Sequence, residues 1–450
     1  VDVEAVSALL TEQGWALLES LPAYRESDAM ALAERLRQDG HPPVLVSAAL
    51  TQARLRAAAR PKFGPFADGM LFTPAGLEQA TRLSVAARHA RRYVTAGIDR
   101  VADLGCGIGA DSMALATFDR EVLAVERDEL TAAMATMNLR HWPEATVRCA
   151  DATTTDLRGI GGAFVDPSRR TPSGRRVLDP RHGSPPLAFV EQLAARLPAV
   201  GMKTAPGIGH QLVPDGVEAQ WVSVGGEVVE AGLWFGLLAR DGIRRAALVL
   251  PDDAPAAPRD HPAPPATERP ATERPATERP ATERPATERP ATERPGTERP
   301  GTDPPGAEGP EAPAEVTDAG MPTPEVGALG SVLYEPDGAV IRAGLVGQVA
   351  GQVGGRLVDR TIAYVTADRL VRTPLATAYT VEDSFGFQLK RLRTWVHDRG
   401  IGRLTIKKRG TAVDPEQLRR QLRPAGSGEA TIVLTRIAGR QSVIVVRPLR

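Results

Sequence analysis

Between Arg100 and Leu250 the chain alternates short, dense apolar runs with amphipathic ones. RVADL, EVLAVE, ATVRCA, GAFVD, VGMKTA and AALVL have the length and β-branched content of strands, whereas residues 110 to 117, 129 to 141 and 186 to 197 carry apolar side chains at helical spacing. Alternation of this kind predicts a parallel sheet covered by helices on both faces, with any ligand beyond the carboxyl ends of the strands. The runs EAQWVSV and VVEAGLWFG are separated only by Gly225, Gly226 and Glu227, which predicts an antiparallel hairpin near the end of the sheet.

Upstream, ALLTEQGWALLESL and the stretch from Ser47 to Arg60 place apolar residues three and four apart, predicting a small helical domain over residues 1–95. The segment TPAGLEQATRLSVAARHARRYVTAG supplies Thr73 as a cap, Pro74 at the first helical position and Gly97 as a stop, and is expected to lie against the domain that follows. Residues 96–250 form the sheet domain. Large apolar residues then almost vanish, and ATERP occurs six times in succession from Ala266, followed by GTERP and GTDPP. Proline every five residues stops a helix, and nothing offsets the entropy of ordering, so 251–326 is predicted to be a disordered linker and passive spacer. Residues 327–450 return to mixed strands and helices, ending in the hairpin-like ATIVLTRIAGRQSVIVVRPL, and predict a second, smaller α/β domain.

A length of 450 residues exceeds one ordinary core and agrees with several domains. No apolar stretch approaches the roughly 20 residues of a membrane helix, and VDVEAVSALL lacks the order of a signal peptide, so a cytoplasmic protein without membrane contact is expected. Two cysteines without a CxxC pair or a zinc-ligand cluster predict neither a metal site nor a disulfide. Net charge is zero, yet from Gly327 onward 20 Lys and Arg stand against 10 Asp and Glu. That asymmetry points to a polyanionic partner for the C-terminal module.

The chemistry concentrates in VADLGCGIGADS, residues 101 to 112. Gly105, Gly107 and Gly109 let the backbone turn tightly and approach a ligand, and the following helix offers free amides. This pattern also satisfies the looser dinucleotide fingerprint, so the surrounding acids decide. Glu126, ending the second strand, can accept two ribose hydroxyls from either kind of nucleotide. Asp103, just before the glycines, would repel a pyrophosphate and suits a cationic amino-acid end, while Asp151 in VRCADATTTD can accept the exocyclic amine of adenine. S-adenosylmethionine has all three features. Cys106 reads as a small filler of the turn, and none of the seven histidines falls in a recognisable motif.

With DLGCGIG, VERD, CAD and VDPS in order, residues 101 to 250 resemble the class I S-adenosylmethionine-dependent methyltransferases. The resemblance implies a Rossmann-like seven-stranded sheet with S-adenosyl-L-methionine as cofactor. The whole chain further resembles bacterial methyltransferases with a THUMP-like C-terminal domain, through WVSVGGEVVEAGLWFG, LYEPDGAVIRAGL and FGFQLKRLR followed by LTIKKRG. THUMP domains bind RNA, so the resemblance implies tRNA or rRNA as partner and substrate. A protein or small-molecule acceptor, or RNA binding without catalysis, are the competing readings.

Asp166 and Pro167 in GAFVDPSRR fall at the carboxyl end of the fourth strand, where the methyl acceptor is expected. Methyltransferases of exocyclic amines often carry an aromatic residue shortly after; here Arg169 or Arg170 stands instead, which weakens amino-group chemistry on a flipped base. Asp166, Pro167 and Arg169 are the candidate catalytic residues, and Arg170 a candidate phosphate contact, with Arg175 and Arg176 extending the basic strip. Lys390 and Arg391 on a basic helix, and Lys407, Lys408 and Arg409 at a strand end, are the further candidates for binding RNA. Phe385, Phe387 and Trp395 read as core rather than stacking platforms, because aromatics make up only 4 % of the chain.

Overall fold

A computed structural model describes residues 3–168, 179–252 and 313–449. Arg169, Arg170, Arg175, Arg176 and the ATERP repeats lie outside the described residues.

Nine strands build the first sheet: β1 Arg100–Leu104, β2 Glu121–Glu126, β3 Ala145–Cys149, β4 Gly162–Val165, β5 Ala199–Thr204, β6 Glu218–Val224, β7 Glu227–Gly236, β8 Arg245–Leu250 and β9 Ala314–Thr317. Their order is β3-β2-β1-β4-β5-β7-β6-β8-β9. The first five are parallel, β7 runs against both β5 and β6, and β8 is parallel to β6. The seven strands expected from the resemblance are present with the reversed hairpin, whose turn uses Gly225 and Gly226 at φ 57° and 82°. Two further strands extend the edge. Every residue of β4, β5 and β6 is buried, polar Lys203, Glu218, Gln220 and Ser223 included, whereas edge strand β3 is mostly open to solvent. The helices Glu129–Asn138 and Leu187–Ala194 are each a turn shorter than their apolar periodicity predicts, since the chain tightens after Asn138 and Ala194 ahead of Pro143 and Pro198.

The helices Val3–Leu9, Glu12–Ser20, Ala29–Gln38 and Pro43–Phe63 share an apolar core that reaches Met134 on the helix flanking the sheet. The helix Leu83–Thr95 belongs to the sheet: its Ala86, Ala90 and Tyr93 are buried in that core, and the Tyr93 hydroxyl donates to the Ala163 carbonyl at 2.6 Å.

The second sheet comprises β10 Val332–Pro336, β11 Arg356–Asp359, β12 Ile362–Ala367, β13 Ala376–Gly386, β14 Ile401–Lys408, β15 Gly428–Ile437 and β16 Arg440–Pro448. The order is β11-β12-β10-β13-β16-β15-β14, antiparallel throughout except for β14 beside β15. The terminal hairpin turns at Ala438 and Gly439, both at positive φ.

Two features depart from a module tethered by a spacer. The helix Gly338–Arg342 packs on β6, β7 and β8 and the helix Val346–Val353 on a strand of the second sheet, and their Val340 and Val349 share one continuous core with Trp221, Leu233 and Ala247. The contact is fixed at its rim by Arg342, whose carbonyl meets His210 Nε2 at 2.6 Å and whose guanidinium donates to the Pro206 carbonyl at 3.2 Å. In addition β9, taken from the stretch read as linker, pairs antiparallel with β8, so that Ala314 is the partner of Val249. Composition conceals this strand because it is only four residues long, AEVT, and polar at two of them. Glu315 of β9 pairs with Arg240, and Arg240 and Arg92 hold the fully buried Glu218, whose carboxyl they keep below its ordinary range despite burial. The strands that flank residues 253–312 are therefore paired with each other at one sheet edge. Among the described residues no helix is long and apolar enough to cross a membrane, and no group of three or more His, Cys, Asp or Glu side chains is placed to hold a metal.

Candidate active site

At the carboxyl ends of β1, β2 and β4 lies a cavity of about 350 Å³. Its floor is the glycine turn. Gly105 and Gly107 sit at φ 87° and 54°, which an L side chain rarely adopts. A β-carbon on Gly105 would stand 2.6 Å from the Asp166 carbonyl, whereas one on Gly107 would meet no atom within 4 Å. Gly105 thus permits the close packing of two strand ends, and Gly107 keeps the floor open.

Glu126 receives the Gly107 amide at 3.2 Å and the Asp128 amide at 2.9 Å, which fixes its carboxylate at the rim. Asp151 takes the Thr153 amide at 2.7 Å and the Thr153 hydroxyl at 2.6 Å, bonds that hold its carboxyl below the usual range. Both residues line the cavity, as do Gly105, Gly107, Asp166 and Pro167. Asp103 and Gly109 do not. Asp103 is 1 % exposed beneath the turn, accepts the Ser112 hydroxyl at 2.6 Å, and is pushed well above the carboxylate range by burial and by the neighbouring Asp111. Gly109, at φ 90°, caps the helix Ala110–Thr117 and faces Leu139. These two shape the turn from below; the carboxylates on the cavity wall near it are Asp111 and Asp166. Burial also pushes the Cys106 thiol upward, leaving it a neutral filler.

The sequence reading missed the roof and the wall behind Asp166. The roof is the helix Pro74–Gln79 with the turn after it, contributing Gly76, Gln79 and Thr81. Lys62 fastens it by donating to the carbonyls of Leu77, Glu78 and Ala80 at 2.7, 2.8 and 3.0 Å. The signal available was the Thr73-Pro74 helix start, which marks the element but not what it covers. The wall contains His89, Asp111, Lys203 and Glu230. His89 stands between Asp111 Oδ1 and Glu230 Oε1, each at 2.8 Å. Burial alone would lower its pKa, but the two carboxylates outweigh that and lift it to about 9. Behind this wall a second cavity of about 510 Å³, lined by Lys62, Arg82, Lys203 and Glu230, meets the first at Thr81.

The candidate RNA residues lie on the C-terminal module, off the cavity wall. Lys390 and Arg391 are exposed on the helix Leu389–Asp398, with Arg393 beside them, while Leu392, Trp395 and Val396 face inward. Phe385 and Trp395 are core. Lys407 and Arg409 are not a free pair of cations. Lys407 Nζ contacts Glu335 at 2.6 Å, Arg409 lies 3.7 Å from the same carboxylate, and the two cover the rings of Tyr379 and Tyr364. Lys408 is exposed and donates to the Val413 carbonyl.

The donor set suits S-adenosylmethionine: carboxylate acceptors at the ends of β2 and β3, an open backbone floor, and further carboxylates on the wall near the turn. Glycine turn, strand-end acids and a sheet with one reversed strand together define a class I methyltransferase. Comparison with known proteins agrees. An uncharacterized S-adenosylmethionine-dependent methyltransferase of Mycobacterium tuberculosis is 30 % identical over 431 residues, covering 92 % of this chain and all of the relative, in strain CDC 1551 / Oshkosh and equally in H37Rv. The chain belongs to this family of S-adenosylmethionine-dependent methyltransferases, and S-adenosylmethionine is its cofactor. A crystal structure of a methyltransferase from Porphyromonas gingivalis W83 shares the fold, with a TM-score of 0.64 at 18 % identity over 95 % of this chain and 100 % of that one. Residues 376–448 match the THUMP domain-like family, and residues 2–59 match a domain of unknown function.

Proposed function

We propose that this methyltransferase modifies RNA in the cytoplasm, with the cofactor held at the glycine turn and Asp166 orienting the acceptor. Gly105 and Gly107 supply the backbone floor, Glu126 accepts the ribose hydroxyls, and Asp151 accepts the exocyclic amine of adenine. Bound there, the cofactor supplies an electrophilic methyl group. Transfer requires the acceptor lone pair to approach in line, so positioning is most of what the protein contributes. Asp166, beside Pro167 after β4, accepts a hydrogen bond from the acceptor N–H or O–H and aims its lone pair.

The observation that carries the RNA reading is the docking of the THUMP-like module. The helices Gly338–Arg342 and Val346–Val353, which stand between β10 and β11 of the same sheet and precede the matched residues 376–448, share a core with the catalytic sheet, and the matched part presents Lys390, Arg391 and Arg393 to solvent. A binding module fixed to the sheet holds a polyanion in constant register with the cavity. The test is mass spectrometry of nucleosides from total RNA of cells with and without the gene. A methylated nucleoside that disappears with the gene and returns with the wild type but not with D166A supports the reading. Unchanged RNA together with labelled protein overturns the substrate and leaves the cofactor in place.

A further inference from the structure

Behind Asp166 runs a buried series of polar side chains that an acceptor-orienting carboxylate alone does not require. Lys203, near the end of β5, has a side chain only 4 % exposed. Its Nζ donates to Asp166 Oδ2 at 2.8 Å, to Thr81 Oγ1 at 2.9 Å and to the Gln79 carbonyl at 3.2 Å. An ammonium has three protons, and all three are engaged. Thr81, having accepted from Lys203, turns its own proton to Asp111 Oδ2 at 2.7 Å. Asp111 in turn takes one ring N–H of His89, and Glu230 takes the other.

Every link in this series has a fixed direction, because a ring with a carboxylate at each nitrogen is a donor at both. The members come from separate places in the fold: His89 from Leu83–Thr95, Asp111 from Ala110–Thr117, Glu230 from β7, Lys203 from β5 and Thr81 from the roof. Lys203 cannot swing away without leaving several buried groups unpaired, at a cost far above that of an ordinary surface ion pair. An apolar side chain would fill the same space without desolvating a charge. What the ammonium adds is a fixed, charged contact on one oxygen of Asp166, whose side chain remains 26 % exposed and lines the cofactor cavity.

We propose that Lys203 is the positioning residue of the methyl-transfer reaction, holding Asp166 as a carboxylate set toward the cofactor cavity, with Thr81, Asp111, His89 and Glu230 holding Lys203. The assignment rests on the reading of Asp166 as the group that orients the acceptor. Among the described residues, the other charges that face this pair are Asp103 on β1 and Lys62 on Pro43–Phe63.

K203M is expected to keep cofactor affinity and acceptor KM within about threefold while lowering kcat about 10²-fold, and K203R, which retains the cation, to recover most of it. In D166N the same change adds nothing, since the two residues act as one unit: D166N/K203M turns over no more slowly than D166N. Additive losses, or a fall in cofactor affinity with kcat preserved, overturn the proposal and make Lys203 a packing residue. If K203M does not fold, T81V removes one contact of Lys203 and leaves the cation, with about a tenfold loss in kcat expected. A second readout needs no acceptor. The ¹³Cγ resonance of Asp166, identified by its loss in D166N, is expected to titrate at higher pH in K203M than in the wild type and close to the wild type in K203R, and an unchanged titration in K203M overturns the assignment. Should the wild type transfer no methyl group to any RNA fraction, the RNA reading fails, and the carboxyl titration still decides the role of Lys203.

Discussion

Gly105 and Gly107 stand two residues apart in one turn, yet a side chain at each meets a different obstacle. At Gly105 it strikes the Asp166 carbonyl; at Gly107 it enters open space above the floor. Gly107→Val is therefore expected to add about 1–2 kcal/mol of left-handed strain and to weaken S-adenosylmethionine at least tenfold in calorimetry, while the protein stays folded. Affinity unchanged in that variant would remove the turn from the cofactor site. His89 gives a second measurable consequence. Its folded pKa of about 9 lies above the ordinary 6.5, so its stabilising contribution is complete below about pH 6.5 and is lost as pH rises through 9. Asp111 has the opposite sign: held below its ordinary 3.8, it contributes above that value and loses its contribution under acid. The melting temperature of the wild type should thus fall between pH 6.5 and 9, by the equivalent of about 3 kcal/mol, and H89N should flatten that limb. Parallel curves would show that the imidazole is not charged in the folded protein. That Gly105, Gly107, Glu126 and Asp151 meet at one cavity was legible in the sequence because each belongs to a local motif. The His89 series was not, since Glu230 follows His89 by 141 residues and Asp166 precedes Lys203 by 37, and no local pattern encodes such partners. Asp103 shows the converse limit, for a motif names the residue without saying which side of the turn its carboxylate occupies.

At the scale of elements, periodicity identifies those strands that are buried on both faces, and the reversed hairpin follows from two glycines at its turn. It fails for β9, whose place in the sheet depends on β8 and on the Glu315–Arg240 pair rather than on its own four residues. This failure changes the meaning of the ATERP tract. A spacer sets the distance between the domains it joins, but here Val249 and Ala314 are paired and the second module is docked by its own helices. Tract length consequently has no bearing on that distance. Deletion of residues 266–300 is expected to leave cofactor affinity unchanged and to shift stability by less than about 1 kcal/mol, because closure entropy changes only as the logarithm of loop length. Thermal melts and calorimetry on the shortened chain check this. A loss of docking, seen as an expanded particle in small-angle scattering, would restore the spacer reading.

For the whole molecule, the uneven charge acquires a location. The surplus of Lys and Arg after Gly327 sits on a module fixed to the catalytic sheet, yet not all of it is available to phosphate. Lys407 and Arg409 share the Glu335 carboxylate, and burial of Lys407 is outweighed by that contact and by Tyr379, so its charge is already neutralised locally. A phosphate must compete with Glu335 for either cation. Lys390, Arg391 and Arg393 project from an exposed helix face, with the Arg391 guanidinium over the ring of Phe385 at 4.7 Å. Two triple variants separate these sites. K390A/R391A/R393A is expected to weaken RNA binding and to reduce the slope of log affinity against log salt by roughly two to three units, close to one counterion released per cation. K407A/K408A/R409A should reduce it by roughly one, through Lys408, and in addition lower the melting temperature by leaving the Glu335 carboxylate with two tyrosine hydroxyls and no cation. Filter binding of tRNA and rRNA across a salt series distinguishes them. Equal slopes for the two variants would place phosphate on the Glu335 cluster after all. Affinity unchanged in both would take RNA away from this face and turn the search to a protein acceptor.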